Sequence, residues 1–348
     1  MHAATPYDDL TPDLLLDALE ACGQRVDGRL LTLNSYENRV FQVGLDSGEM
    51  VVAKFYRPGR WTDEQILEEH AFALELAAAE VPVVPPLLLD HDIAPSATVS
   101  GRPPTLGHFS GHRLAVSPRR GGRTPELEDP DVLSWLGRLL ARLHTVGARQ
   151  PFEHRVRLDS QTLGWQARQW LLDHEAIPLD QASNWLSVSQ QALELVDAAF
   201  ERIDGLRWRR VHGDCHPGNV LWTPEGPHFV DLDDAGMGPA VQDLWMLLSG
   251  DPSERRRQLD AVLDGYESIA EFDWRELQLI EPLRTLRLIH HSAWLARRWA
   301  DPAFPAAFPW FESGSYWQQQ ADLLRQQIDL MQPDDRPQIM QGPDDWLD

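Results

Sequence analysis

The chain has 348 residues, of which 54 are acidic and 31 are basic, so its formal net charge is −23. A chain of this length typically forms about two domains. The negative charge argues against a general nucleic-acid binder and against attachment to anionic lipid, because both need clustered Lys and Arg. With 43% hydrophobic residues and 14 tryptophans, the chain is expected to fold rather than remain disordered.

The compartment can be inferred from the cysteines and the apolar segments. Cys22 and Cys215 cannot form a disulfide framework and indicate a reducing environment. The first nine residues lack the basic and apolar stretches of a signal peptide. The apolar run at 81–89 is interrupted by prolines and is much shorter than the roughly 20 residues of a membrane-spanning helix. We therefore expect a soluble, cytoplasmic protein.

The first part of the chain alternates helix and strand signals. Thr11 followed by Pro12 predicts the start of a first helix. Stretches rich in β-forming residues predict strands at 30–33, 39–45 and 50–56. Thr62 predicts the start of a second helix, with Gln65 completing a capping box, and this helix should run to about Glu80.

The pattern changes after residue 81. A proline-rich stretch leads to the last strands of a small sheet and to a predicted hinge at 115–118. Beyond Pro130 apolar residues recur at helical spacing. Further helices are predicted at about 184–203, 239–249, 253–269, 273–300 and 316–331. We therefore expect a small β-rich lobe followed by a larger helical lobe.

One segment, 211–238, differs from the helical sequence around it. It contains HGDCHPGN at 212–219 and VDLDD at 230–234, with a predicted β-hairpin between them. The hairpin would bring Asn219 and Asp231 to the same end, where their oxygens suit Mg²⁺ bound together with phosphates. Asp214 could accept a proton from an attacking hydroxyl. These are the groups that phosphoryl transfer requires.

The spacing HGDxxxxN, with an aspartate about a dozen residues later, resembles the aminoglycoside phosphotransferase and choline kinase branch of the protein-kinase-like fold. Longer segments resemble the bacterial stress response kinase A family. They lie at 33–40, 54–58, 212–219, 229–234, 242–248 and 299–305. The resemblance covers most of the chain, roughly residues 11 to 320. Members of this family are described as Ser/Thr protein kinases that act in envelope and oxidative stress.

The resemblance implies an α+β, bilobal protein-kinase-like fold. The N-terminal lobe would comprise residues 1–118 and would cover the nucleotide with a sheet and a helix. The helical catalytic lobe would comprise 119–331, and 332–348 would form an acidic tail. ATP would bind near the hinge.

The resemblance also implies roles for single residues. Asp214 would be the catalytic base, and Asn219 and Asp231 would bind Mg²⁺, which makes Asp231 part of the catalytic machinery as well. Lys54, in a VVAK sequence on the third strand, would hold the α and β phosphates of ATP. A glutamate on the next helix would pair with this lysine.

Two further roles concern the glutamate that pairs with Lys54 and the residues that cover the phosphates. Glu69 is preferred over Glu68, because Leu74 and Leu76 then fall where the family's helix packs. Ser35 lies in the turn between the first two strands, where kinases cover the phosphates. The chain departs from the kinase pattern here, since it has no GxGxxG, so Ser35 and the neighbouring amides would have to substitute.

Other polar residues near the motif are expected to have structural or solvated roles rather than catalytic ones. His212 is expected to hold the loop through hydrogen bonds, and Asp233 and Asp234 are expected mainly to be solvated. Asp243 is expected to brace the catalytic loop from behind. A zinc site built on His212 and Cys215 is disfavoured, because no second ligand pair lies at the usual spacing.

The sequence thus predicts a Mg-ATP-dependent phosphotransferase, foremost a Ser/Thr protein kinase that acts as a monomer on protein substrates. The alternative is a kinase of small alcohols of the aminoglycoside, choline or homoserine type. A catalytically silent nucleotide-binding scaffold is a further alternative, disfavoured because the three catalytic positions carry competent residues. The physiological substrate and the regulating signal are not encoded in any motif that we recognise.

Overall fold

The computed structural model describes residues 6–90 and 102–332. The predicted acidic tail lies outside these residues except for Gln332. The chain divides into two compact units, each built from three segments. The first unit contains the residues up to Glu126, Thr145–Arg155 and Asp214–Ala235. The second unit contains Leu127–His144, Val156–Gly213 and the residues from Gly236 onward.

The first unit contains an antiparallel sheet with the strand order β1-β2-β3-β5-β4. Its strands are β1 (Val26–Leu33), β2 (Arg39–Leu45), β3 (Met50–Phe55), β4 (Gly107–Phe109) and β5 (His112–Pro118). The first three confirm the predicted strands. β1 begins earlier than predicted, because its register shifts at Gly28, which has a φ of 84° and interrupts the alternation. Residues 115–118, predicted as a hinge, form the end of β5 and pair with β3.

Two helices of this unit confirm their predicted starts. Helix α1 (Pro12–Ala21) is capped by Thr11, whose side chain accepts from Leu14 N at 3.2 Å. Helix α2 (Asp63–Ala78) begins with the predicted capping box of Thr62 and Gln65, and it ends two residues before Glu80. Both caps satisfy backbone N–H groups that the first turn of a helix leaves without partners.

The two faces of the sheet have different surroundings, as the alternation of side chains along a strand requires. One face packs on α1 through buried residues that include Val43, Ala53, Phe55, Leu114 and Val116. On the other face, Lys54 lies opposite Val40 and Ala115 in the pairing of the strands. Val40, Val52 and Leu33 on that face are only half-buried. The sheet therefore has one structural face and one accessible face.

The predicted hairpin is confirmed in the first unit. It consists of β7 (Val220–Thr223) and β8 (Gly226–Phe229), which pair in register. The backbone N–H of Phe229 donates to Pro82 O at 2.8 Å. The hairpin is thereby attached to the proline-rich segment that follows α2.

The second unit is mainly helical. Its elements begin with α3 (Pro130–Gly147, whose last residues belong to the first unit), a π-helical turn (Ser160–Trp165), α4 (Gln166–Asp173), α5 (Leu179–Glu201) and β6 (Arg209–Val211). They continue with β9 (Gly236–Gly238), α6 (Val241–Trp245), α7 (Pro252–Glu267), a 3₁₀ turn (Trp274–Leu279), α8 (Ile280–Arg297), α9 (Ala303–Ala307) and α10 (Gly314–Met331). The helices predicted at 184–203, 253–269 and 316–331 are confirmed as α5, α7 and α10. The helix predicted at 239–249 is reduced to the short α6, and the one predicted at 273–300 begins with a 3₁₀ turn before α8. The prediction missed α4, which is short and half polar, and α9, which contains a proline.

Helices α3 and α7 cross at a pair of glycines. A Cβ at Gly137 would lie 2.0 Å from Val262 O, and a Cβ at Gly265 would lie 1.9 Å from Ser134 O. The two backbones are therefore in direct contact, which no other residue type would permit without a shift. Within the described parts of the chain, no helix combines the length and the apolar character that crossing a bilayer demands.

Candidate active site

The peptide that precedes Asp214 is held by Asp243 of α6. The Asp243 carboxylate is fully buried and accepts from the backbone N–H groups of His212 and Gly213, both at 2.8 Å. Gly213 has a φ of 85°, so the chain turns sharply just before Asp214. Asp243 therefore braces the peptide before Asp214 from behind, as predicted.

The same carboxylate binds His144 of α3, which the sequence analysis missed. His144 Nε2 lies 2.9 Å from Asp243 Oδ2, and its Nδ1 lies 3.1 Å from the hydroxyl of Tyr266. Because an ionised carboxylate only accepts hydrogen bonds, Nε2 carries the hydrogen and Nδ1 accepts from Tyr266. Burial lowers the pKa of His144, although the hydrogen bond to Asp243 acts in the opposite direction. A lone histidine in a helix gives no sequence signal for such a role.

Asp214 and Asn219 are brought together by a short turn in the first unit. A 3₁₀ turn covers Pro217–Asn219, and His216 Nδ1 accepts from Gly218 N at 3.0 Å. The Asn219 side-chain nitrogen donates to Asp214 O at 2.9 Å. With its nitrogen engaged in this way, Asn219 has its amide oxygen as the atom that could bind a cation.

Asp231 follows β8 and is linked to the same turn. Val230 N donates to Asn219 O at 3.0 Å, so Asn219 and Asp231 flank one end of the hairpin as predicted. Asp231 has φ 60° and ψ 63°, a left-handed conformation that is uncommon for residues other than glycine. Its side chain is 51% exposed. A strained backbone that presents an accessible carboxylate is typical of functional sites.

Lys54 of β3 reaches Asp231 across 177 positions of sequence. Its Nζ lies 2.8 Å from Asp231 Oδ1 and 3.7 Å from Asp233 Oδ1. Burial lowers the pKa of Lys54, but the two carboxylates outweigh burial and raise this pKa well above its ordinary value. Lys54 is also the only lysine among the 31 lysine and arginine residues of the chain, a signal that the sequence analysis overlooked.

The expectation that Asp233 is mainly solvated is wrong. Asp233 is 3% exposed, accepts from Asn38 Nδ2 at 3.0 Å and forms an ion pair with Arg60. Burial raises the pKa of Asp233, but Lys54, Arg60 and Arg155 outweigh burial and hold this pKa below its ordinary value. The prediction failed because the compensating cations lie at distant positions of the sequence.

The two glutamates considered as partners of Lys54 have different surroundings. Glu68 is 4% exposed and accepts from the backbone N–H groups of 153–155. Glu69 is also buried, and burial raises its pKa to about 7, while Lys54 lowers it. Among the residues that the structure describes, Lys54 forms its ion pairs with Asp231 and Asp233, and none with Glu69. A direct Lys54–Glu69 pair therefore stays a prediction.

Ser35 lies in the turn between β1 and β2, as predicted. Its Oγ accepts from Asn38 N at 3.3 Å and so closes the turn. Asn38 in turn accepts from Arg57 N at 3.1 Å and donates to Asp233. The turn that carries Ser35 is thereby tied to the segment that carries Asp231. A contact between Ser35 and phosphate stays a prediction.

The donor set fits a magnesium ion. An amide oxygen from Asn219 and a carboxylate from Asp231 are the hard ligands that Mg²⁺ prefers, and Mg²⁺ commonly uses one or two carboxylates together with substrate phosphates and water. The exposed carboxylate of Asp231 leaves room for such ligands. In the described ranges, no group of three or more His, Cys, Asp or Glu residues forms a site made of protein ligands alone.

Comparisons with known proteins identify relatives over most of the chain. Residues 30–280 match the phosphotransferase enzyme family, APH. Stress response kinase A of Salmonella choleraesuis (strain SC-B67) is 44% identical over 328 residues, which cover 94% of this chain and 95% of the relative. The protein of the same name from Escherichia coli (strain K12) is 43% identical over 331 residues, which cover 95% of this chain and 96% of the relative. A Salmonella typhimurium relative named serine/threonine protein kinase RdoA is 43% identical over 328 residues, covering 94% and 95%.

Solved structures show the same fold at low sequence identity. An amicoumacin kinase, in complex with AMP-PNP and Ca²⁺, has a TM-score of 0.68 at 19% identity, covering 94% of this chain and 95% of its own. A microcompartment-associated aminopropanol kinase has a TM-score of 0.63 at 20% identity, covering 90% and 95%. The fold is thus the protein-kinase-like fold, with an antiparallel sheet in the N-terminal part and a helical C-terminal part. The chain belongs to the APH phosphotransferase family and, within that family, to the stress response kinase A proteins.

Proposed function

We propose that this phosphotransferase transfers the γ-phosphoryl group of Mg-ATP to a Ser or Thr hydroxyl of a protein. The observation that carries the proposal is the convergence of Lys54, Asn219 and Asp231 beside Asp214. Lys54 Nζ lies 2.8 Å from Asp231 Oδ1, although the two residues are 177 positions apart. Cation, amide and carboxylates together form the set that phosphoryl transfer from a nucleotide requires.

The accessible face of the sheet supports nucleotide binding. Leu33, Val40 and Val52 present half-buried apolar side chains on the face that carries Lys54. A planar base can lie against such a surface, since pockets for small molecules are lined mainly by apolar groups. Lys54 would then hold the α and β phosphates, and Ser35 with its neighbouring amides would cover them. Glu69, close to Lys54, would orient the lysine when the nucleotide is bound.

Asn219 and Asp231 would hold the magnesium ion. When bound, it would neutralise charge on the phosphate oxygens and so favour attack by a nucleophile. Lys54 would contact the anionic nucleotide directly, and Asp231 would do so through the magnesium ion, in a chain whose net charge is −23. Lys54 and the magnesium ion would thus supply the positive charge that so acidic a protein needs in order to bind ATP.

Asp214 would accept the proton of the acceptor hydroxyl. The hydroxyl oxygen forms a bond to the γ phosphorus, the bond from that phosphorus to the β–γ bridging oxygen breaks, and ADP leaves. Two hydrogen bonds on the backbone around Asp214 support this role. Asn219 Nδ2 donates to Asp214 O at 2.9 Å, and Gly213 N donates to the Asp243 carboxylate at 2.8 Å.

The class of acceptor is supported by the relatives. One relative at 43% identity bears the name serine/threonine protein kinase, and several bear the name stress response kinase A. We extend from these names to a protein kinase of the bacterial response to envelope or oxidative stress. Two buried cysteines that form no disulfide suit a reducing, cytoplasmic compartment, and we propose that the protein acts there as a monomer.

A labelling experiment tests the proposal. The purified protein would be incubated with γ-labelled ATP and Mg²⁺, first with a basic protein acceptor and then with aminoglycosides, choline and homoserine. We expect label on Ser or Thr of the protein, and we expect Asp214→Asn to lose about 1000-fold or more in turnover while still binding nucleotide. Asp264→Asn, an exposed aspartate of α7, is the matched control and should retain full activity.

Two outcomes would contradict the proposal at different levels. Label on small alcohols alone would replace the protein acceptor by a small-molecule acceptor and leave the chemistry intact. No Mg²⁺-dependent turnover of ATP with any acceptor would overturn the chemistry itself. Light scattering of the purified protein separately tests the monomer.

A further inference from the structure

The carboxylate of Glu68 is bound by three consecutive backbone N–H groups. Oε1 accepts from Glu153 N at 2.6 Å, and Oε2 accepts from His154 N and Arg155 N, both at 2.9 Å. One turn earlier on α2, Gln65 Nε2 donates to His154 O at 2.9 Å. Helix α2 therefore holds the segment 153–155 through four hydrogen bonds, three of which use an ionised acceptor. Such charge-assisted bonds are stronger than neutral ones.

The side chain of Arg155 extends the connection to the candidate metal-binding segment. Its Nε donates to Ala235 O at 2.8 Å, and its Nη2 donates to Asp233 O. The guanidinium also lies 4.2 Å from the centre of the Trp61 ring. Arg155 is 6% exposed, so these bonds are made out of contact with water. A planar guanidinium can bind two carbonyls at once, whereas an ammonium group cannot reproduce that geometry.

We infer that Glu68 and Arg155 are positioning residues that set the segment 231–235 relative to helix α2. Through that segment they fix where the Asp231 carboxylate stands beside Lys54. The inference deepens the proposed function and rests on it in one respect, because it takes Asp231 as a ligand of the magnesium ion. It assigns separate tasks to the two adjacent glutamates of α2, since Glu69 lies near Lys54 and Glu68 holds the backbone.

The chemistry of the two side chains suggests substitutions that preserve their size. In Glu68→Gln an NH₂ group replaces one oxygen and meets backbone N–H donors, so at least one of the three bonds is lost and two donors face each other. In Arg155→Lys the charge remains, but the two carbonyls of the 233–235 turn lose their common donor. Neither change removes a large apolar side chain, so the fold is expected to persist.

The first measurement is independent of activity. Hydrogen exchange followed by mass spectrometry would compare peptides that cover 153–155 and 229–237. We expect Glu68→Gln to raise exchange roughly tenfold or more in both peptides, because a segment 153–155 that opens more often also frees the 233–235 turn that Arg155 holds. Arg155→Lys should raise exchange mainly in the peptide that covers 229–237. Unchanged exchange at 229–237 in Glu68→Gln would overturn the inference, whether or not the enzyme is active.

The second measurement is the dependence of ATP turnover on Mg²⁺ concentration. We expect each variant to need about 10- to 100-fold more Mg²⁺ for half-maximal rate, the range found when groups behind metal ligands are replaced. The double variant should need little more Mg²⁺ for half-maximal rate than Glu68→Gln alone, because both residues act through the same chain of hydrogen bonds. Full additivity would overturn a shared role.

Matched controls separate positioning from general destabilisation. Glu64→Gln changes the same charge on the exposed side of α2, and Arg149→Lys makes the same change as Arg155→Lys at an exposed arginine. Both should leave the Mg²⁺ dependence within about twofold of the original protein. Variants at 68 and 155 that lower the unfolding midpoint but keep the original Mg²⁺ dependence would overturn the inference. An original protein without Mg²⁺-dependent turnover would instead refute the proposed function, and the exchange experiment would still decide the connection.

Discussion

Replacing Asp243 by asparagine isolates the charge that holds the peptide before Asp214. The substitution keeps the size of the side chain and removes one acceptor oxygen. Asp243 Oδ2 accepts from His212 N and His144 Nε2, while Oδ1 accepts from Gly213 N. The asparagine can keep the two bonds at Oδ2 by placing its single oxygen there. Its NH₂ then faces the buried N–H of Gly213, and that bond is lost.

The expected loss of stability follows from these contacts. A hydrogen bond to a charged acceptor contributes about 1.5–3 kcal/mol, and the two remaining bonds lose their charge assistance. We therefore expect the free energy of unfolding to fall by about 3 kcal/mol. With a typical dependence of about 1–3 kcal/mol per molar urea, the midpoint should fall by about 1 M or more. Tryptophan fluorescence during urea unfolding measures the shift, with Asp264→Asn as the exposed control.

The pH dependence gives a second check on the same substitution. Burial raises the pKa of Asp243, but hydrogen bonds from His144 and His212 outweigh burial and hold this pKa below the ordinary value of 3.8. A lowered pKa contributes stability above the ordinary value and loses it as the pH falls through the folded value. The gap between the original protein and Asp243→Asn should therefore be constant above about pH 5 and shrink below about pH 4. A gap of less than about 1 kcal/mol at pH 7 would refute the reasoning.

Three further predictions concern other parts of the molecule. Lys54→Arg should lower kcat/KM for ATP about 100-fold or more despite the retained charge, because a guanidinium cannot occupy the place of the compact ammonium between Asp231 and Asp233. Steady-state kinetics would measure this loss, and a kcat/KM near that of the original protein would contradict the prediction. Gly137→Ala should lower stability by about 3 kcal/mol or more in urea unfolding, since its Cβ would lie 2.0 Å from Val262 O; a loss below about 1 kcal/mol would mean that the helices separate easily. As the pH rises from about 4.5 to about 7, the original protein should lose stability on the order of 3 kcal/mol, because the raised pKa of Glu69 favours the folded state only while its carboxyl group is protonated. Glu69→Gln should abolish this loss. An equal dependence of the free energy of unfolding on pH in both proteins over that range would contradict the prediction.

Several features that the sequence predicted are fixed by local geometry. The hairpin that joins Asn219 to Asp231 returns the chain within a dozen residues, so both ends must meet. The capping box of Thr62 and Gln65 is likewise decided within one turn of helix. In both cases the interacting groups are close in sequence, and their residue types specify the geometry.

The parts that escaped prediction depend on partners far apart in the chain. Asp233 looks like a solvated loop acid, but Asn38 and Arg60 approach it across 195 and 173 positions. The sequence suggests Glu68 only as the alternative partner of Lys54, and its partners at 153–155 are backbone groups that no residue type indicates. A charged side chain can be buried only where the fold brings counter-charges next to it. A single sequence does not show which residues these are.

The chain's single lysine offers a means of observing the site without substituting any residue. Reductive methylation with ¹³C-formaldehyde attaches methyl groups to primary amines, and Lys54 carries the only side-chain amine of the sequence. The reaction needs an unprotonated amine, and the carboxylates beside Lys54 keep this amine protonated to unusually high pH. Slow methylation would thus report an intact pair between Lys54 and Asp231. Once attached, the methyl groups would give one side-chain NMR signal at the centre of the nucleotide site, which nucleotide and metal titrations could follow directly.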